Sequence, residues 1–293
     1  RDLMSGDILQ LHCQYDSTNT DRVTHIGLDE RTREMCNQYY ISTQDLSLEC
    51  DYDHLTPSPS PTFHLTATKY EASSQLSETV SIGQITGLAL DNKHNIYFIH
   101  RGRNTFFSRS KLAEDPIVKM SRSFTFLASL GSGLFVVPHG LSIDMHGFLW
   151  ATDVGLHIVL KIHPDVGEVA LQLGIPGRSG LSRSTFDKPT DVAVSPSGEI
   201  YVADGYGNSR IVVFSADGGY LREWGSPGSK TGQFQVPHSL VMDSRGLLYV
   251  ADRENARVQV FDAFGGFKAE WVSRSASHAS SAQAEGGASP RPP

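Results

Sequence analysis

The sequence predicts an all-β fold, a β-propeller in which about four blades follow one another along the chain. The first observation is a phrase at residues 137–144 (VPHGLSID) that returns at 236–243 (VPHSLVMD). A shorter version at 188–194 (KPTDVAV) lies between them, so the prolines of the three copies are 51 and 48 residues apart. Periods of this length, built from short strands, are typical of blades arranged around a central axis.

The second observation is a turn and a further strand after each copy, ending in an aspartate at 149–153 (LWATD), 200–204 (IYVAD) and 248–252 (LYVAD). Residues 87–91 and 96–100 form an earlier unit of the same kind, without the Pro-His opening. The later blades add strands at 210–214, 220–224, 257–261 and 267–271. The intervening turns contain Gly198, Gly218 and Gly246, which supply the positive φ that hairpin turns require.

Composition divides the chain into four segments. Residues 1–53 contain all three cysteines and no repeat, and the alternation of polar and apolar residues at 5–13 predicts a strand of a partial β-sandwich segment. A second strand is predicted at 34–41. Residues 54–82 form a Pro/Ser-rich linker and lead-in, and residues 83–271 form the propeller. Residues 272–293 are rich in Ser, Ala, Gly and Pro, which predicts a disordered tail.

Charge and hydrophobicity exclude some classes of protein. The 293 residues carry a net charge of −7, which argues against a nucleic-acid-binding surface. No apolar run reaches the length of about 18 residues that a membrane-spanning helix needs. Because the chain opens with Arg1 and shows no signal peptide, a processed or incomplete product is expected.

Two histidines are the candidate metal ligands. His139 and His238 occupy the same position in two copies of the repeat, and Thr190 occupies it in the copy between them. A histidine beside proline in a loop usually has no special role, but two at one repeat position should both project toward the axis. Neutral imidazoles are common zinc ligands, and a catalytic zinc typically has three protein ligands and one open position. No third ligand is apparent from the pattern.

Three further residues are candidates for chemistry. Tyr206 and Arg253 lie two residues and one residue after the aspartates that end the second strands of adjacent blades, and they differ between the copies. Arg101 follows the strand at 96–100 and is a further candidate for binding a carboxylate. A tyrosine near a dication can act as a base, and an arginine can hold a carboxylate with two hydrogen bonds. The residues that the two blades share are expected to be structural: Asp204, Asn208, Arg210, Asn255 and Arg257. His146, His157 and His163 are expected on the surface.

Taken together, these phrases resemble the bifunctional peptidylglycine alpha-amidating monooxygenase family. Residues 83–271 resemble part of its peptidyl-alpha-hydroxyglycine alpha-amidating lyase domain, a six-bladed propeller of NHL repeats. The matching phrases are long, at 98–102 (FIHRG), 138–144 (PHGLSID), 204–212 (DGYGNSRIV) and 250–255 (VADREN).

The resemblance implies a role for each candidate residue. His139 and His238 would bind zinc, and Tyr206 would take the proton of the substrate hydroxyl. Arg101 and Arg253 would position the substrate, while the backbone carbonyls of Leu88 and Leu141 would bind a structural calcium. The reaction would split a peptidyl-α-hydroxyglycine into a peptide amide and glyoxylate, with glycine-extended or hydroxyglycine-extended peptides as partners.

Residues 1–50 resemble the end of the family's copper monooxygenase domain, through 5–7 (SGD), 24–27 (THIG) and 34–37 (EMCN). Met35 would then be one ligand of an incomplete copper site, and Cys13 would pair with Cys36, leaving Cys50 unpaired. The expected compartment is the secretory pathway, including secretory granules, or the extracellular space. Lyase activity is the stronger expectation, because the other copper ligands of the family match no residue here.

Two departures from the family pattern bear on activity. The family's third zinc histidine and a calcium-binding aspartate lie in a later blade, which this sequence does not match. Paired cysteines of the family's blades are replaced in this chain by Asp187, Gly207, Tyr249 and Val260. The alternatives are a non-catalytic propeller that serves as a protein-binding scaffold and another zinc- or calcium-dependent hydrolase on a propeller, such as a lactonase. The combination of Pro-His phrases with Tyr206 and the arginines argues against both.

Overall fold

This computed structural model describes residues 8–11, 39–42 and 82–272 of the chain. The first two ranges are strands β1 (Ile8–Leu11) and β2 (Tyr39–Ser42), which pair in antiparallel orientation. β1 lies within the strand predicted at 5–13, and β2 overlaps the strand predicted at 34–41 but ends one residue later, at Ser42. The linker and the tail after residue 272 lie outside the described residues, and the domain boundaries stay predictions.

Residues 82–272 form four four-stranded antiparallel sheets, as the predicted propeller requires. Blade 1 contains β3 (Ile85–Leu90), β4 (Ile96–His100), β5 (Ile117–Met120) and β6 (Phe126–Leu130). Blade 2 contains β7 (Pro138–Ile143), β8 (Leu149–Asp153), β9 (Ile158–Ile162) and β10 (Val169–Leu173). Blade 3 contains β11 (Asp191–Val194), β12 (Ile200–Asp204), β13 (Arg210–Phe214) and β14 (Tyr220–Trp224). Blade 4 contains β15 (Pro237–Met242), β16 (Leu248–Asp252), β17 (Arg257–Phe261) and β18 (Phe267–Val272), with a 3-10 helix, η1 (Arg253–Asn255), after β16.

Strands within each blade follow chain order, and the first strands of successive blades are neighbours that line one cavity. Apolar cores separate the blades. Because side chains of a strand alternate between its faces, Leu149 packs between blades 1 and 2 while Trp150 packs between blades 2 and 3. In the next blade, Val202 shares the core of Trp150, and Tyr201 packs toward blade 4. Burial on both faces explains why the second strands have almost continuous apolar sequences.

The repeated aspartate and arginine brace the blades, as expected from the sequence. In blade 3, Asp204 accepts hydrogen bonds from the Asn208 amide at 2.7 Å and from Arg210 Nε at 2.9 Å. In blade 4, Asp252 accepts the matching bonds from Asn255 and Arg257, both at 2.8 Å. Both aspartates are fully buried. A buried carboxylate needs such partners, so these residues are structural rather than part of the candidate site.

The four positions at which the resemblance would place blade cysteines form two adjacent pairs. Gly207 donates its backbone N–H to the carbonyl of Asp187 at 2.9 Å, and a Cβ at Gly207 would lie against the Asp187 side chain. Tyr249 and Val260 face each other across β16 and β17. Each pair therefore lies close in space, and in each pair both members differ from cysteine.

Some details differ from the sequence-based expectations. Strands β5, β6, β9 and β10 lie in segments where no repeated phrase was recognised, and β18 extends to Val272, one residue into the predicted tail. His157 was expected on the surface, but its side chain is only 13% exposed and lies 3.4 Å from Asp187. Its Nδ1 also accepts the backbone N–H of Lys188, so this histidine orders the loop before β11.

Candidate metal centre

The two candidate zinc histidines lie side by side at the axis of the blade arc. His139 is the second residue of β7 and His238 is the second residue of β15, so the repeat places both on inner strands. Their ring centroids are 4.9 Å apart, and the residues are 2% and 8% exposed. The two residues are 99 positions apart in the sequence, with blade 3 between them. They become neighbours because the inner strands of successive blades meet around one axis.

Tyr206 brings a phenolic oxygen to the same point. It follows β12 in blade 3, and its hydroxyl lies 3.0 Å from His139 Nε2 and 3.1 Å from His238 Nε2. The tyrosine ring also meets both imidazoles edge to face. Three of the predicted site residues therefore converge through their polar atoms in one small volume.

Both histidines are neutral, and the structure fixes the tautomer of His139. His139 Nδ1 lies 2.8 Å from the Thr190 carbonyl, which only accepts, so Nδ1 carries the proton and Nε2 has the lone pair. Burial, reinforced by the charge of Arg101, lowers the pKa of His139 to about 3. Burial and the neighbouring His139 also hold the pKa of His238 well below its ordinary value. Neutral imidazoles with convergent Nε2 atoms fit a zinc ion.

This burial predicts that acid destabilises the metal-free protein. The pKa of His139 falls from 6.5 in the unfolded chain to about 3 in the folded one, so the unfolded chain binds more protons between these values. The free energy of unfolding should therefore decrease as the pH falls below about 6.5. Urea titrations with a chelator, read by tryptophan fluorescence, should show a weaker acid dependence in His139→Gln. Replacement of exposed His146 by Gln should leave the slope unchanged; equal slopes in all three proteins would contradict the assignment.

The two predicted arginines lie at different depths. Arg253 begins η1, and its Nη1 lies 3.5 Å from the Tyr206 hydroxyl while its Nε donates to Glu254 at 2.8 Å. Arg101 is 2% exposed and donates to the Pro138 carbonyl at 3.3 Å, next to His139. Arg101 is connected to Tyr206 indirectly, through Phe106. The Cζ of Arg101 lies 5.6 Å from the centre of the Phe106 ring, and that ring packs on the Tyr206 ring.

Three residues at the site were not predicted for it. Phe106 lies in the loop after β4 and packs 5.4 Å from Tyr206, centroid to centroid. Lys188 places its Nζ 5.4 Å from the Phe106 ring. Phe106 has no counterpart in the repeat, so no pattern marked it. The third residue, Thr190, was read only as the copy without histidine, although its carbonyl orients His139.

A cavity of about 700 Å³ runs along the inner strands and includes both histidines and Arg253 in its lining. Leu88 and Leu141, the predicted calcium ligands, line it as well. Asp191 joins them, and burial raises the pKa of its carboxyl to about 7 against the opposing hydrogen bonds from the Leu240 and Val192 amides. Calcium prefers carbonyl and carboxylate oxygens as ligands, and the cavity lining contains oxygen atoms of both types. Sequence reasoning missed Asp191 because only the fold brings it to the cavity.

Within residues 82–272, no three side chains of the His, Cys, Asp or Glu type come together as a metal-binding group. The candidate metal ligands in this part of the chain are therefore the two imidazoles, and the Tyr206 oxygen lies beside them. The same range contains no helix with the length and hydrophobicity to span a bilayer.

Two family models match the chain. The NHL repeat matches residues 186–214 and 234–261, in blades 3 and 4. The C-terminal domain of copper type II ascorbate-dependent monooxygenases matches residues 1–58, which relates this segment to copper enzymes. Met35, Cys13 and Cys36 lie in the second match but outside the described residues, so their roles stay predictions.

Curated relatives match a larger part of the chain. Peptidyl-glycine alpha-amidating monooxygenase B of Xenopus laevis is 42% identical over 196 residues, which cover 60% of this chain and 22% of the relative. The enzyme of Mus musculus is 44% identical over 194 residues, covering 59% and 20%. The probable peptidyl-alpha-hydroxyglycine alpha-amidating lyase of Caenorhabditis elegans is 38% identical, covering 59% and 54%. The chain thus matches about a fifth of the length of the monooxygenases and about half of the lyase.

Proposed function

We propose, from the homology of this chain to peptidyl-glycine alpha-amidating monooxygenases and lyases, that it performs the lyase step of peptide amidation. The reaction converts a peptidyl-α-hydroxyglycine into a peptide amide and glyoxylate. The observation that carries the proposal is the Tyr206 hydroxyl between two neutral imidazoles, at 3.0 and 3.1 Å, with Arg253 at 3.5 Å. A propeller that only binds proteins has no need of this arrangement.

Each residue has a defined task in this mechanism. Zinc held by His139 and His238 would supply Lewis acidity toward the substrate hydroxyl. Tyr206, as phenolate, takes the hydroxyl proton, the oxygen electrons form the aldehyde of glyoxylate, and the C–N bond breaks. The amide nitrogen gains a proton in exchange for the one that Tyr206 removed, so the products balance the substrate.

The arginines supply positive charge where the substrate is negative. Arg253 lies close enough to the Tyr206 oxygen to stabilise negative charge there. Its charge, with that of Arg101, also suits the carboxylate of the terminal hydroxyglycine. Because Arg101 is buried and held by Pro138 and Gln84, its contribution is electrostatic and positional.

The finer assignments belong to the same proposal. Calcium would bind near the Leu88 and Leu141 carbonyls, and Met35 would be one ligand of a copper site that is incomplete in this sequence. The compartment would be the secretory pathway or the extracellular space, where a Cys13–Cys36 disulfide can form. The substrates would be hydroxyglycine-extended peptides.

The first test is glyoxylate release from an α-hydroxyglycine-extended peptide by the purified chain with added zinc and calcium. We expect release above the uncatalysed rate, and its loss on chelation of zinc. A folded chain that binds zinc but releases no glyoxylate would overturn the lyase proposal. It would leave the non-catalytic scaffold as the better account of the propeller.

A further inference from the structure

The position occupied by the two histidines has a regular structural role in every blade pair. Thr86 Oγ1 in blade 1 donates to the Pro138 carbonyl in blade 2 at 3.1 Å. In blade 3, Thr190 Oγ1 donates to the Pro237 carbonyl in blade 4 at 2.7 Å. His139 also bonds to the next blade but to a different acceptor, because its Nδ1 donates to the carbonyl of Thr190, one residue after the proline. The residue at this position thus ties its blade to the backbone of the following one.

In blade 2, a second side chain also forms a hydrogen bond to the backbone of blade 3 next to His139. Thr152 in β8 is fully buried, and its Oγ1 accepts the backbone N–H of Gly140 at 2.7 Å and donates to the Thr190 carbonyl at 3.1 Å. The corresponding residues of blades 3 and 4 are Ala203 and Ala251. A hydroxyl therefore occurs here in the blade that carries His139 and not in the two later blades.

The bonds form a closed circuit around the His139 peptide. The Thr190 carbonyl accepts from the imidazole of His139 and from Thr152, while Thr152 accepts from the amide of the next residue, Gly140. Both ends of the His139–Gly140 unit are thereby held to the same carbonyl. Since the imidazole can donate to this carbonyl only through Nδ1, the circuit keeps the lone pair on Nε2.

Thr190 connects this circuit to the second histidine. Its own backbone N–H donates to the Ala203 carbonyl at 2.8 Å, and its hydroxyl holds the carbonyl of Pro237, the residue before His238. Buried hydrogen bonds of Thr190 thus link the circuit around His139 to the backbone next to His238.

We propose that Thr152 and Thr190 are positioning residues that fix the His139 tautomer and the spacing of the two imidazoles for a metal ion. Neither residue touches the metal in this arrangement; both act through the histidines. The inference depends on the proposed metal centre and not on the lyase reaction, so it stands or falls separately from glyoxylate release.

The test uses Thr152→Ala, which places in blade 2 the residue that blades 3 and 4 carry naturally and should therefore fold. Thr152→Ser keeps the hydroxyl and serves as the matched control. In the metal-free protein, ¹⁵N chemical shifts of the His139 ring should report one tautomer in the parent and in Thr152→Ser, and a mixture in Thr152→Ala. Zinc affinity, measured by competition with a chelator, should fall about 10- to 100-fold in Thr152→Ala and stay at the parental value in Thr152→Ser.

Thr152→Val is a second variant, close in shape to threonine, that removes both hydrogen bonds without opening a cavity. Parental ring shifts and parental zinc affinity in both Thr152→Ala and Thr152→Val would overturn the proposal. A parent protein that binds no zinc would contradict the metal centre, while the ring shifts would still decide whether Thr152 controls the tautomer.

Discussion

Replacing Tyr206 with phenylalanine is expected to lower kcat for glyoxylate release by about 100- to 10,000-fold, the usual contribution of a positioned acid or base. The variant loses the oxygen that lies between His139 and His238 and keeps the ring that packs on Phe106. Zinc affinity and thermal stability should therefore change little. The measurement is kcat with a hydroxyglycine-extended peptide at saturating zinc, with zinc binding recorded in parallel.

Tyr201→Phe is the matched control. Tyr201 is a fully buried tyrosine of the same blade, but its hydroxyl donates to Glu199 at 2.8 Å and not to either histidine. Burial and Glu199 raise the pKa of Tyr201 to about 12, so this residue stays neutral and serves the structure. Its replacement should lower stability and leave kcat unchanged. If Tyr206→Phe keeps kcat within a few-fold of the parent, Tyr206 is not the base.

Replacing Asp204 with alanine is expected to destabilise the propeller by about 3–5 kcal/mol, because it removes the buried carboxylate that pairs with the Arg210 guanidinium and leaves only the partly exposed Glu223. Asp204 also accepts from the Asp187 amide and the Asn208 side chain, so three donors lose this partner. For a unit of this size, that loss corresponds to a decrease in Tm of roughly 10 °C. Thermal unfolding followed by circular dichroism measures it.

Glu223→Gln provides the comparison within the same network. Glu223 binds the other side of Arg210 at 2.7 Å, but its side chain is 37% exposed. Water screens an exposed pair, so this change should cost less than about 1 kcal/mol. Equal decreases in Tm for the two variants would show that burial does not set the strength of these contacts, and would contradict the structural role assigned to the repeated aspartate.

Several features of the fold could be predicted because they repeat. The phrase around each inner strand marked the blades, and the aspartate at the end of each second strand marked the brace that Asp204 and Asp252 provide. Strands without a repeated phrase, such as β5 and β9, were missed, because a short apolar run alone does not distinguish a strand from other buried segments.

The candidate site was predicted in part for the same reason. His139 and His238 stood out by their shared position, Tyr206 and Arg253 by their differences between copies, and Arg101 by its place after the second strand of blade 1. Phe106 lies outside the repeat, and Lys188 and Asp191 lie in the phrase at 188–194, where nothing in the phrase marks them for the site. Their place at the site depends on contacts between different blades. A local sequence pattern does not show which distant segments come into contact.

The sequence by itself determined the blade repeat, the choice of histidine at two inner-strand positions and the residues that brace each blade. These features follow from local periodicity and from the chemistry of each residue type. The tertiary structure decided that the Tyr206 oxygen lies between two imidazoles 99 residues apart and that burial keeps both imidazoles neutral. It also decided that the Thr190 carbonyl, which accepts a hydrogen bond from Thr152, orients one of these imidazoles. The physical reason is that distances, desolvation and hydrogen-bond partners arise only when neighbouring blades pack.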